Sequence, residues 1–195
     1  MRESAPNVLV IGATSAIAIE LLRIYAKEGA QLYLVGRDPE RLQAVGADLL
    51  IRGAHHVHIG VLDVVNFTEH QAVIDNVVNA LIRIDLAIVA HGTLTEQGRA
   101  QSDRAYLVHE LNVNCLGVIS ILSLLANVLE QQKNGTLCAI SSVAGDRGRK
   151  SNYVYGAAKA GVTVFLQGLR NRLSQSGVQV LTVKPGFVIT PMTRE

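Results

Sequence analysis

Tyr155 and Lys159 stand four residues apart in the stretch Tyr-Gly-Ala-Ala-Lys, which sets both side chains on one side of a helix. A phenol and an ammonium so placed can manage a proton. A tyrosine has an ordinary pKa of about 10, and a nearby ammonium stabilises its phenolate. Hydride addition to a ketone leaves an alkoxide that needs such a proton donor. Ser142, thirteen residues before Tyr155, ends an apolar run; its hydroxyl would hold the carbonyl oxygen near the phenol.

Convergence of these groups requires a scaffold, and the chain alternates strand and helix signals from its first residues. Short apolar runs at Asn7–Gly12, Gln31–Gly36, His56–Leu62, Asp85–Ala90, Gly135–Ser141 and Val178–Val183 predict six strands. Helical patterns lie between them at Ala16–Glu28, Pro39–Arg52, Phe67–Ile82, Arg104–Gln131 and Tyr153–Ser174. Such alternation predicts right-handed crossovers and a doubly wound parallel sheet, an α/β/α three-layer Rossmann arrangement of strand order 3-2-1-4-5-6. The 195 residues form one domain, with no linker or internal repeat.

In that arrangement the first strand–helix turn receives a pyrophosphate on free N–H groups. Here it reads Gly12-Ala13-Thr14-Ser15-Ala16-Ile17-Ala18. Gly12 holds the first glycine position, while Ala16 and Ala18 stand where the dinucleotide fingerprint has glycines. Read by itself, the turn serves equally well as a plain strand–helix connection. Arg37, directly after the second strand, offers a planar cation where an acidic residue would select NAD(H). With Ser15 it favours NADP(H), NAD(H) being the alternative; Arg37 stacked on adenine or paired with Asp38 would carry no such preference.

The set of Gly12 turn, Asp63, Ala90-His91-Gly92, Asn114-Cys-Leu-Gly117, Ser141-Ser142, Tyr155-x-x-x-Lys159 and Pro185-Gly186 resembles the short-chain dehydrogenase/reductase family over nearly the whole chain. The resemblance implies a catalytic tetrad of Asn114, Ser142, Tyr155 and Lys159, with Lys159 also binding the nicotinamide ribose. It implies cofactor contacts from Gly12, Thr14, Ser15, Ala16 and Ile17, from Asp63 and Val64 at adenine, and from Ala90, His91 and Gly92. Pro185, Gly186, Val188 and Thr190 would meet the nicotinamide end. The chain departs from the family pattern at Ala16 and Ala18, and at Ala90-His91 where Asn-Ala is usual. It also stops at Glu195, before the further helix and seventh strand of the family, so the domain is expected to be C-terminally incomplete. A homodimer or homotetramer acting on a small carbonyl or alcohol is the corresponding expectation. The stretch from Ser141 to Gly161, with its flanking motifs, is similar to the keto-reductase partner of decaprenylphosphoryl-ribose 2-epimerase, which would make the substrate a keto-sugar on a lipid carrier. Arg147, Arg149 and Lys150 would then face a phosphate; a solvated loop of charges accounts for them as well. An NAD(P)-binding regulatory protein with little turnover is the competing reading, and it has no need of Tyr155.

Composition narrows the remaining classes. A net charge of +2 and 4% aromatic residues give no footprint for nucleic acid. The apolar run Leu116–Leu129 is shorter than the ~18–20 residues that cross a bilayer. A cytoplasmic protein with at most peripheral membrane contact is expected, its two cysteines, Cys115 and Cys138, free and buried. His55, His56 and His58 read as ordinary histidines at a strand entry, and no metal is expected. Tyr153 points away from Tyr155 and is a candidate to line a substrate pocket.

Overall fold

The computed structural model describes residues 5–190. Six strands form one parallel sheet: β1 Asn7–Ile11, β2 Gln31–Gly36, β3 His56–Val61, β4 Leu86–Val89, β5 Gly135–Ile140 and β6 Val178–Val183. Their order is β3-β2-β1-β4-β5-β6. The chain reverses its direction of winding between β1 and β4, and the crevice outside the strand ends at that switch is where α/β folds place ligands.

Side chains alternate across the sheet, as the period of two requires. Val8 and Val10 of β1 point into a core shared with α1 (Ala16–Lys27) and α2 (Pro39–Ile51), through Ala18, Leu22, Leu42 and Leu49. Leu9 and Ile11 point to the other face, covered by α3 (His70–Leu81), α6 (Gly117–Gln132) and α7 (Tyr153–Leu173). Cys138 is buried on the first face. Cys115 belongs to the second and is half-buried, not fully buried as its apolar surroundings in sequence predict. His58 stacks on Tyr33 with ring centroids 5.7 Å apart and meets Gln31 Nε2 at 3.1 Å, so it serves strand packing.

Two features depart from the expected elements. A short helix, α4 (Gln97–Ser102), precedes the long one; its sequence has no apolar periodicity to announce it. The long helix is itself interrupted: α5 (Arg104–Leu111) widens into a π turn at Asn112–Leu116 before α6 begins. The span from Arg104 to Gln132 is 29 residues and apolar enough, by length and composition, to cross a membrane. Val118, Ile121, Leu122, Leu125 and Leu129 are nevertheless buried against the sheet, as in the core helix of an α/β domain.

Candidate active site

The turn after β1 depends on Gly12. Its φ is +84°, and a Cβ there would lie 2.5 Å from the His91 backbone nitrogen. Only glycine lets the turn cross so closely over the end of β4. Gly12 and Ala13 N–H groups both donate to Val35 O, at 2.8 and 3.0 Å, which fixes the turn to β2. Ala16 and Ala18 lie within the first turn of α1, and among the described residues the positive-φ ones other than glycine are Ile82 and Lys133. The two alanines therefore need no conformation that a Cβ resists. Ser15 caps α1, its Oγ accepting from Ala18 N at 3.2 Å while its hydroxyl proton stays available to a ligand.

A cavity of about 360 Å³ opens along the strand ends beside this turn. Its wall holds Gly12, Thr14, Ser15, Ala16 and Ile17 from the turn, Arg37 from the end of β2 and Arg41 from the first turn of α2. Val64, Ala90, His91, Gly92 and Thr93 continue it, and Ser142, Tyr155, Lys159, Pro185, Gly186, Val188 and Thr190 close the far end. Two expected residues lie outside this wall. Asp63 turns into its own loop, accepting from Val65 N at 3.2 Å. Asn114 is fully buried behind Gly92 and Thr93.

Packing explains how Ser142 meets Tyr155. The 3₁₀ turn Val143–Gly145 follows Ser142 and presses on α7: a Cβ on Gly145 would be 2.7 Å from Ala160 N, and one on Gly156 2.7 Å from Ala144 O. Ser141 Oγ donates to Lys159 O at 3.1 Å and shares a 2.8 Å bond with Thr163 Oγ1, tying the end of β5 to the same helix. Ser142 Oγ accepts from Ala144 N at 3.1 Å. Burial pushes the Tyr155 phenol above its ordinary pKa, and the Ser142 hydroxyl beside it works in the opposite direction. Lys159 is buried, its Nζ donating to Ile140 O at 3.1 Å and lying 5.6 Å from the Tyr155 ring centre. Burial lowers its pKa to about 8. The arrangement holds a protonated phenol next to an ammonium, which suits a proton donor.

At the other end Asp38 caps α2, accepting from Arg41 N at 3.1 Å, and so is engaged with the helix and not with Arg37. Arg41 Nη2 donates to Thr14 O at 3.4 Å, which brings a second guanidinium to the turn. The sequence offered no motif for Arg41; its place three residues past the Asp38 cap was the available signal. His91 is a further surprise. Both ring nitrogens are shut off from solvent and lack a well-aligned hydrogen bond, and burial, with the Lys159 charge adding to it, outweighs the opposing pull of the Val113 backbone and holds the imidazole neutral, its pKa down at about 3. Tyr153 is exposed and does not line the cavity; Arg147, Arg149 and Lys150 are exposed as well.

A long cavity with apolar walls, a helix N-terminus at its middle and two guanidiniums at one end fits a dinucleotide. Comparison with known proteins agrees. The sequence pattern of the short chain dehydrogenase family matches residues 6–195. An uncharacterised oxidoreductase of Mycobacterium tuberculosis is 37% identical over 189 residues, 97% of this chain and 76% of the relative. Levodione reductase superposes with a TM-score of 0.91 at 27% identity, covering 98% of this chain and 75% of that one. An actinorhodin polyketide ketoreductase solved with NADPH gives a TM-score of 0.89 at 27% identity, covering 96% and 72%. The chain belongs to the short-chain dehydrogenase family and is an NAD(P)-dependent oxidoreductase.

Proposed function

We propose that the protein reduces a ketone, a keto-sugar being the class suggested by its motifs, to a secondary alcohol with NADPH. The observation that supports it is the meeting of Ser142, Tyr155 and Lys159 at one end of a cavity whose other end carries Arg37 and Arg41. The nicotinamide dinucleotide supplies the hydride when bound. The Ser142 hydroxyl hydrogen-bonds the substrate oxygen. Tyr155 gives that oxygen its proton as negative charge develops there. Lys159 stabilises the phenolate left behind, and its position in the cavity wall also lets it meet the ribose next to the nicotinamide.

The Lys159 pKa of about 8 sets the pH dependence. Below pH 8 the ammonium is present and supports the phenolate; above it the charge is lost. The rate of reduction is expected to be flat below pH 7 and to fall about tenfold per unit well above pH 8, as one titrating group requires. In Lys159→Arg, whose side chain stays charged, that alkaline limb should vanish from the residual activity.

The preference for NADPH rests on Arg37 and Arg41, whose guanidiniums suit a 2′-phosphate. Oxidation of NADPH and of NADH is followed with a panel of ketones and 2-keto pentoses. The expected result is a KM for NADPH that rises tenfold or more in Arg37→Ala/Arg41→Ala, while the KM for NADH changes less than threefold. Equal changes for both cofactors would overturn the assignment of the phosphate to this end.

A further inference from the structure

Glu110, in the last turn of α5, is only 4% exposed. Among the described residues no Lys or Arg pairs with it. Three donors converge on its Oε2 instead: Thr93 Oγ1 at 2.9 Å, Thr95 Oγ1 at 2.8 Å and Asn114 Nδ2 at 3.3 Å. A buried carboxylate with no cation is costly to fold around, so its place calls for a task.

The task is visible in Asn114. Its Oδ1 accepts from Thr93 N at 2.9 Å, and its Nδ2 donates to Thr93 Oγ1 at 3.0 Å and to Glu110. These partners decide which end of the amide is oxygen, since the Thr93 N–H can only donate and the Glu110 oxygen accepts. A rotated amide would set NH₂ against N–H and a carbonyl against a carboxylate. Oδ1 is thereby held toward Gly92, where a Cβ would lie 3.0 Å from Oδ1 and 3.5 Å from Lys159 Nζ. The oxygen end of the amide, and not its NH₂, therefore borders Gly92, which Lys159 Nζ also borders. The same carboxylate anchors the segment after β4. Beyond Thr95, Gln97 Oε1 accepts from Val154 N at 3.1 Å and so caps the start of α7 beside Tyr155.

We propose that Glu110 is a positioning residue: by fixing the Asn114 amide and the Thr93–Gln97 segment, it keeps Lys159 and Tyr155 in register without touching substrate or cofactor. The proposal rests on the proton-transfer role given to Tyr155 above, and it predicts a pattern among variants. Glu110→Leu fills the space but removes the acceptor; kcat should fall at least tenfold, with carbonyl KM and NADPH Kd within threefold. Glu110→Gln keeps an oxygen where the three donors converge and should recover kcat to within threefold of the parent. Glu110→Asp, one methylene short, should not recover it. If Glu110→Leu fails to fold, Glu110→Met takes its place, the flexible thioether adapting to the gap. A kcat that follows the melting temperature across all variants would overturn the proposal.

A second readout does not depend on turnover. In amide NMR spectra of the whole chain, the Asn114 side-chain NH₂ pair is assigned by its absence in Asn114→Ala. It should shift and exchange faster in Glu110→Leu or Glu110→Met and stay near its parent position in Glu110→Gln. An unmoved pair in the apolar variants would overturn the role of Glu110 whatever the activity. Moved signals in a chain that reduces no carbonyl would instead fault the reading of Tyr155.

Discussion

Tyr155→Phe is expected to lower kcat for carbonyl reduction by about 10³-fold, within the range for loss of a positioned acid. NADPH affinity, measured by fluorescence titration, should stay within threefold. The phenyl ring keeps its packing in the cavity wall, and Ser142 keeps its bond from Ala144 N. Nothing buried is orphaned, so the melting temperature should hold as well. A variant that keeps full turnover would mean the proton comes from another group. A variant that also loses the cofactor would mean Tyr155 acts in binding before chemistry. The result also separates a reductase from a binding protein of the same fold, for which the substitution would be silent.

Gly12→Ala should have the largest effect on the fold. The residue sits at φ +84°, which costs an L-residue about 1–2 kcal/mol. The added Cβ would also lie 2.5, 2.7 and 2.8 Å from His91 N, Cα and Cβ, atoms at the end of a central strand that cannot swing aside. Either β1 and β4 part or the turn opens. A loss of roughly 3 kcal/mol or more is expected, seen as a drop in melting temperature of about 10 °C, with NADPH affinity at least a hundredfold weaker. Gly148→Ala, where a Cβ would meet nothing within 4 Å, is the control and should change neither by much.

The inner strands were legible because parallel strands buried on both faces read as continuous apolar runs; β2 begins and ends where its run does. Tyr155, Lys159 and Ser142 were legible because helical spacing and a strand end bring them to one crevice. Alanines at positions 16 and 18 looked like defects in the turn, and the structure shows why they are not: both lie inside helix α1. Other features left no local trace. The π turn at Asn112–Leu116 is one, and it leads into Gly117, where a Cβ would be 2.7 Å from Val64 O, a neighbour remote in sequence. Glu110 has no local signature, since two of its three donors, Thr93 and Thr95, come from the segment after β4 and only Asn114 lies one turn along. Arg41 and Gln97 act across elements distant in sequence, Gln97 reaching Val154 and Arg41 reaching Thr14. Periodicity reports which face of an element is buried, not which polar group waits on the other side.

Transfer of label from NADPH deuterated at the transferable position of its nicotinamide tests the proton-and-hydride chemistry assigned to this cavity. The protein is incubated with that cofactor and a ketone from the panel that it consumes, and the alcohol is analysed by mass spectrometry and NMR. One deuterium on the carbinol carbon, in a yield that collapses in Tyr155→Phe, is the predicted result. Alcohol without deuterium, or no alcohol from any ketone while NADPH binds tightly, would contradict it.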